Sequence, residues 1–193
     1  MRETRFLVRL ANSSKAAPQD HVALLTRLRR LSAAREGSVM NLRVSSLAVE
    51  FDLFGPAAMD SNEFARAWSE IGPLLTWRRI DLAPPPSVNA AAVIKEARAY
   101  FNDARYWEVH ETLEGLWKAR HGDEKRLVQG LILIAAAFVH VQRDELAVVW
   151  PMIDEGLLRL ANSPDDYHGW DIASFRERVR RIREKQRFEE FVV

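Results

Sequence analysis

The chain contains no cysteine among its 193 residues. Disulfide scaffolds, thiolate zinc sites and cysteine nucleophiles are therefore excluded. Glycine and proline are sparse, eight of each, so no collagen-like or low-complexity segment dominates. The longest apolar run, Leu131 to Val139, is nine residues, against the roughly 20 a membrane-spanning helix needs. Only Phe6, Leu7 and Val8 separate Arg5 from Arg9, too few for a secretory signal. A soluble, cytoplasmic protein with no membrane partner is expected. An excess of one charge is missing too, with 28 basic and 27 acidic side chains, so nothing steers the whole molecule towards nucleic acid.

What is present is a 48% hydrophobic content, enough for packed domains, arranged with two different periods. Ala83-Pro84-Pro85-Pro86-Ser87 separates them, because three consecutive prolines donate no backbone hydrogen bonds and hold an extended conformation. The expected fold is α+β with two domains: residues 1–83 a small α/β domain, 84–86 a proline linker, and 87–193 an all-α bundle of five helices. In the first domain, alternation at Phe6, Val8 and Leu10 marks a strand. A helix follows Pro18 and Asp20, with Val22, Leu25, Leu28 and Leu31 as its apolar line and Gly37 as its stop. Val39, Leu42 and Val44, then Leu47, Val49, Phe51 and Leu53, read as a hairpin. Asp60 or Ser61 opens a second helix through Phe64, Trp68 and Ile71, and Leu75 to Leu82 reads as a final strand. The order βαββαβ is that of a ferredoxin-like unit.

In the second domain, Ser87 or Asn89 caps a helix carrying Val93, Ile94, Ala97, Tyr100, Phe101 and Ala104. A second helix runs from Tyr106 to Arg120. A third, Glu124 to Gln142, is apolar nearly all round and reads as buried on all sides. A fourth contains Pro151, and Asp171 caps a fifth whose Ile172, Phe175, Val179 and Ile182 face inward.

The second helix carries the unusual chemistry. At about 100° per residue, Trp107, His110, Leu113, Glu114 and Trp117 fall on one stripe, while Glu108 and Glu111 point to solvent. His110 and Glu114 thus occupy core spacing, where burial costs stability unless each is hydrogen-bonded or ligated. Antiparallel packing of the second and third helices places Gln129 opposite Glu114, with His140 further along the same face as Gln129.

The stretch His110-Glu111-Thr112-Leu113-Glu114-Gly115-Leu116-Trp117, followed by Leu127-Val128-Gln129-Gly130-Leu131-Ile132 and His140, resembles the family called domain of unknown function 309. Its mark is a histidine, a glutamate four residues on and an aromatic three beyond that, then a Gln-Gly-Leu-Ile helix ending near a histidine. The resemblance implies a helical bundle for residues 87–193 and suggests divalent-metal binding through His110 and Glu114.

Several functions fit these residues. Binding is the leading reading: a divalent metal or a small polar ligand held by His110, Glu114, Trp117, Gln129 and His140. His110 and Glu114 alone are two ligands, whereas a catalytic zinc site uses three and a structural one four. A metal-dependent hydrolase with Glu114 as base and His110 as ligand is the enzymatic alternative, although the His-Glu-Thr-Leu-Glu segment lacks the second histidine of a zincin. A third reading is a protein-interaction module, self-association included, in which the polar residues form a structural network. Weak nucleic-acid binding is disfavoured, because the arginines of the last helix are diluted by acids.

Overall fold

The computed structural model describes residues 4–80 and 89–193. The expected proline boundary, Ser87 as a cap and the end of the last expected strand at Leu82 lie outside the described residues. The chain forms two compact units. Among the described residues, no helix is long and apolar enough to cross a membrane.

The first unit runs β1 (Thr4–Ala11), a 3-10 turn (Pro18–Asp20), α1 (His21–Ala33), β2 (Ser38–Val44), β3 (Ala48–Gly55), α2 (Ser61–Ala67) and β4 (Leu74–Arg79). Its strands lie in the order β2-β3-β1-β4, each neighbouring pair antiparallel. Because alternate strand residues share a face, Phe6, Val8 and Leu10, with Val49, Phe51 and Leu53, project together onto Leu28 of α1 and Phe64 of α2. Trp68 closes this core, edge-on to Phe51 at 5.0 Å. Its Nε1–H donates to the buried Ser32 Oγ at 3.2 Å, so the indole is enclosed without an unmet donor.

Four details differ from the sequence reading. The fully buried line of α1 is Leu24, Leu28 and Ser32, with Leu25 and Leu31 half-buried against the core as expected and Val22 76% exposed; the hydrogen bond that Trp68 gives Ser32 helps fix this face. Leu47 lies in the hairpin turn, which Ser45 closes by accepting from the Ala48 amide at 3.0 Å. Helix α2 ends at Ala67, so Trp68 and Ile71 pack from the following turn. The left-handed residue after α1 is Glu36, at φ 58°. Gly37 is required by space instead, since a Cβ there would come within 2.9 Å of Leu53 Cδ1 and 3.0 Å of Phe64 Cε1.

The second unit contains α3 (Ala90–Asn102), α4 (Tyr106–Lys118), α5 (Gly122–Gln142), α6 (Leu146–Leu160), the short strands β5 (Asp166–Tyr167) and β6 (Trp170–Asp171), and α7 (Ile172–Lys185). Asn89 caps α3 by accepting from the Ala92 amide, and Asp171 caps α7 by accepting from the Ser174 amide. Each satisfies a first-turn donor that would otherwise be unpaired. The inward stripe of α7 is Ile172, Phe175, Val179 and Ile182, all buried. At the centre, Phe101 touches Tyr106, Phe138, Trp170 and Phe175 with ring centroids 5.2 to 5.9 Å apart.

Gly130 sits where α5 and α6 cross. A Cβ there would come within 2.7 Å of Leu160 Cγ and 3.0 Å of the Gly156 carbonyl oxygen. Gly130→Ala is therefore expected to cost about 1–3 kcal/mol through overpacking, read as a lower midpoint in urea.

Tyr167 donates to Glu124 Oε1 at 2.6 Å. Burial, then the hydrogen bond and charge of Glu124, push its hydroxyl pKa above the ordinary value; burial and the charge of Glu190 do the same for Tyr106. With folded-state values raised, the stabilisation is fully present below the unfolded pKa of about 10 and is lost as pH rises above it. Melting temperatures should fall as pH rises above about 10, and Tyr167→Phe should flatten that fall.

Candidate functional site

Helix α4 solves its packing differently from the stripe expected of it. Tyr106, Val109, Leu113 and Leu116 are its buried hydrophobics, each at most 1% exposed. The inward line is thus turned towards 109, 113 and 116 and away from 110 and 114, with Trp117 half-buried against the core. Three aliphatic residues bury without any polar group to satisfy, whereas a His/Glu pair would lose hydration. His110 and Glu114 accordingly stand at the edge of the helix, their side chains 28% and 39% exposed. Glu108, expected in solvent, is the buried carboxylate, at 2% exposure. Its Oε1 accepts from Arg105 Nε and NH2 at 2.9 and 2.6 Å.

The expected partnerships are also redrawn. Glu114 Oε2 accepts from Lys118 Nζ at 3.3 Å, one turn on, rather than from Gln129. His110 Nδ1 lies 3.6 Å from Glu111 Oε1, too long for a hydrogen bond. His140 Nδ1 is 2.5 Å from Glu145 Oε2, linking the last turn of α5 to the residue before α6. Trp117 carries Lys125 over its ring, with Nζ 4.5 Å from the centroid, a cation–π contact between α4 and α5. The Trp117 Nε1 atom is buried and has no hydrogen-bond partner among the described residues.

Helix α5 is not enclosed on all sides. Gln129, Ile132, Leu133, Ala136, Val139 and His140 are half-buried, and Gln129, Leu133, Ala136 and His140 repeat at the spacing of one helical face. Lys125, one turn before Gln129, meets Trp117, so Gln129 follows one turn along α5 from that contact. The structure thus puts His110, Glu114 and Trp117 on one side of α4 and links that side to the Gln129 side of α5. His140, three turns further along, binds Glu145 instead. A cavity of about 310 Å³ lies elsewhere, between the start of α5 and residues 159–167.

Among the described residues, no group of three or more His, Asp or Glu side chains is gathered in a way that could hold a metal ion. His110 and Glu114 remain a single-helix pair. That is fewer than the three protein ligands a catalytic zinc site uses.

Sequence reasoning missed a second polar constellation, in the first unit. On the sheet face opposite α1 and α2, Glu50 of β3 stands directly between Arg9 of β1 and Arg43 of β2. Arg43 donates from Nε to Glu50 Oε1 at 2.7 Å and from NH2 to Asp52 Oδ1 at 3.2 Å. Arg5 and Asn41 each donate to Asp52 Oδ2 at 2.7 Å. The register shift between Met40 and Arg43, with Asn41 at φ 52°, puts the Asn41 amide on this face. Burial alone would lower the pKa of Arg43, but Glu50 and Asp52 outweigh it and hold the guanidinium above its ordinary value. The available signal was the match of opposite charges at paired strand positions, visible once the register is known.

Two known proteins and one family model are similar to part of this chain. A solved conserved hypothetical protein from Thermus thermophilus is 32% identical, with a TM-score of 0.42 over 47% of this chain and 95% of that one. An uncharacterised protein of Aquifex aeolicus is 29% identical over 87 residues, 45% of this chain. The chain spans about a quarter of that curated relative's length, 26%. Residues 94–150, which hold α4, α5 and the whole His110 to His140 motif, match the domain of unknown function 309. This stretch of the chain therefore belongs to the domain of unknown function 309 family.

Proposed function

We propose that the protein is a non-catalytic binding module whose recognition surface is the α4–α5 face bearing His110, Glu114, Trp117 and Gln129. In this reading residues 1–83 form a ferredoxin-like domain and residues 87–193 a five-helix bundle, working in the cytoplasm. One observation carries the proposal: the fold buries Val109, Leu113 and Leu116 and leaves His110 and Glu114 half-exposed. Packing therefore does not account for the polar residues of the motif, while it does account for Gly130.

The side chains suit a polypeptide partner. Glu114 supplies a carboxylate acceptor, Gln129 both an amide donor and an acceptor, and Trp117 a broad apolar surface. Together these match the alternating N–H and C=O groups of a peptide chain. A displayed peptide library screened against the parent should yield binders that Glu114→Ala and Trp117→Ala variants release. Binders indifferent to both substitutions would overturn the proposal. The metal reading is tested on the same protein. Dialysed parent should hold less than one equivalent of zinc, manganese, iron or nickel by mass spectrometry. Stoichiometric metal lost in His110→Ala would replace the recognition surface with a metal site.

A further inference from the structure

Beyond α7 the chain turns sharply and runs back over the helices as an extended strap. Gln186 takes a left-handed conformation, φ 47°, and ends the helix with its amide bonded to the Ile182 and Arg183 carbonyls. Residues 187–193 form neither helix nor strand. The strap is attached by two aromatic anchors three residues apart. Phe188 packs edge-on to Phe138 at 4.8 Å, and Phe191 packs against Phe101 at 5.2 Å and Phe175 at 5.9 Å. Glu189, Glu190 and Val192 are exposed.

The polar attachment is to the main chain. Asn102 accepts from the Val193 amide at 2.7 Å and donates to the Val193 carbonyl at 3.1 Å, while Arg98 donates to the same carbonyl at 3.2 Å. A side-chain amide that pairs with both groups of one residue reads the backbone as a neighbouring strand would. A cavity of about 140 Å³ remains beside the strap, lined by Arg178, Arg181, Lys185 and Arg187 together with Glu189 and Glu190. Arg181 is held by Glu177 at 3.0 Å and Arg187 lies 4.0 Å from Glu189, while Arg178 sits over the Phe191 ring beside Lys185.

From this arrangement we infer that the groove under the strap is a peptide-binding site occupied in cis, and that its partner is an extended acidic segment of another protein with two phenylalanines three residues apart. This site is separate from the α4–α5 face, and its test is independent of that reading. The strap is the template: two aromatic pockets set the spacing, Asn102 and Arg98 hold the main chain, and the arginines and lysine beside it favour acidic residues. A tethered strap competes with any free peptide through its high effective concentration. A strap open about 1% of the time would weaken the apparent affinity of the partner about 100-fold.

The probe is a labelled synthetic peptide of residues 186–193, Gln-Arg-Phe-Glu-Glu-Phe-Val-Val, titrated by fluorescence anisotropy against full-length protein. Phe188→Ala with Phe191→Ala in the protein should detach the strap and raise the affinity about 100-fold over the parent. Adding Asn102→Ala should reverse the gain, and a peptide with both phenylalanines changed to alanine should not bind. Equal affinity for parent and double variant, with helical circular dichroism retained, would overturn the inference. Hydrogen exchange on the unmodified parent gives a check that needs no variant. The Val193 amide should exchange through local opening, far faster than the amides of α5, and equal protection would show the strap to be a fixed part of the core. Dimerisation of the parent that the peptide dissolves would also overturn the inference, by making a second copy the occupant.

Discussion

Arg43→Met should lower the stability of the sheet unit by about 3–5 kcal/mol, an effect set by what the substitution leaves behind. Asp52 is fully buried and Glu50 nearly so, and both lie on one face of β3 two residues apart. Arg43 binds both. Without it Asp52 keeps Arg5 and Asn41, but Glu50 keeps Arg9 at a distance of 4.0 Å. A buried carboxylate so weakly compensated carries most of its desolvation cost. Changing Glu50 to Leu in the same background should recover much of the loss, because removing both partners avoids a stranded charge. A double-mutant cycle in urea isolates the coupling. A loss under about 1 kcal/mol would mean that the face is well hydrated and the ion pairs are incidental.

Phe101→Ala should cost a further class of stability, about 3–5 kcal/mol in the helical unit. Phe101 is 1% exposed and touches five other rings, Phe191 of the strap among them. Removing it leaves a cavity that helices fixed by α3–α4 and α6–α7 packing can only partly close. Phe101→Leu should retain more than half of the lost stability, since it restores volume without the ring geometry. Thermal melts followed by helical circular dichroism read both variants. A Phe101→Ala protein as stable as the parent would show that the aromatic centre collapses freely.

Much of this architecture is legible in the sequence, and the unread parts share a cause. Asp171 caps the expected helix, and Asn89 and Asp60, each one of two candidates, cap theirs, because capping depends on chemistry within three residues. The stripe of α7 is also right as read, since only one line of its surface is apolar. Helix α4 offers two lines, one through Val109, Leu113 and Leu116 and one through Trp107, Leu113 and Trp117. Choosing between them requires knowing what packs against the helix. The tryptophans drew the reading to the second line, and that single rotation exchanged the fates of Glu108 and Glu114. In β3, Glu50 and Asp52 have the spacing of a solvated strand face, and nothing local in the sequence shows that Arg9 and Arg43 flank Glu50. Long-range pairing sets that outcome, and periodicity does not carry it.

The same exchange supplies the most direct test of the account, because it separates a half-exposed recognition surface from a buried polar network on one helix. Melting temperatures of Glu108→Ala and Glu114→Ala should be compared under identical conditions. Glu108 is buried and holds Arg105 through two hydrogen bonds, so its removal should cost about 3 kcal/mol, or about 12–24 °C for a unit of roughly 100 residues. Glu114 is half-exposed and accepts from Lys118 at 3.3 Å, so Glu114→Ala should melt within about 2 °C of the parent. A large loss at Glu114 with little change at Glu108 would contradict the account and restore the buried network.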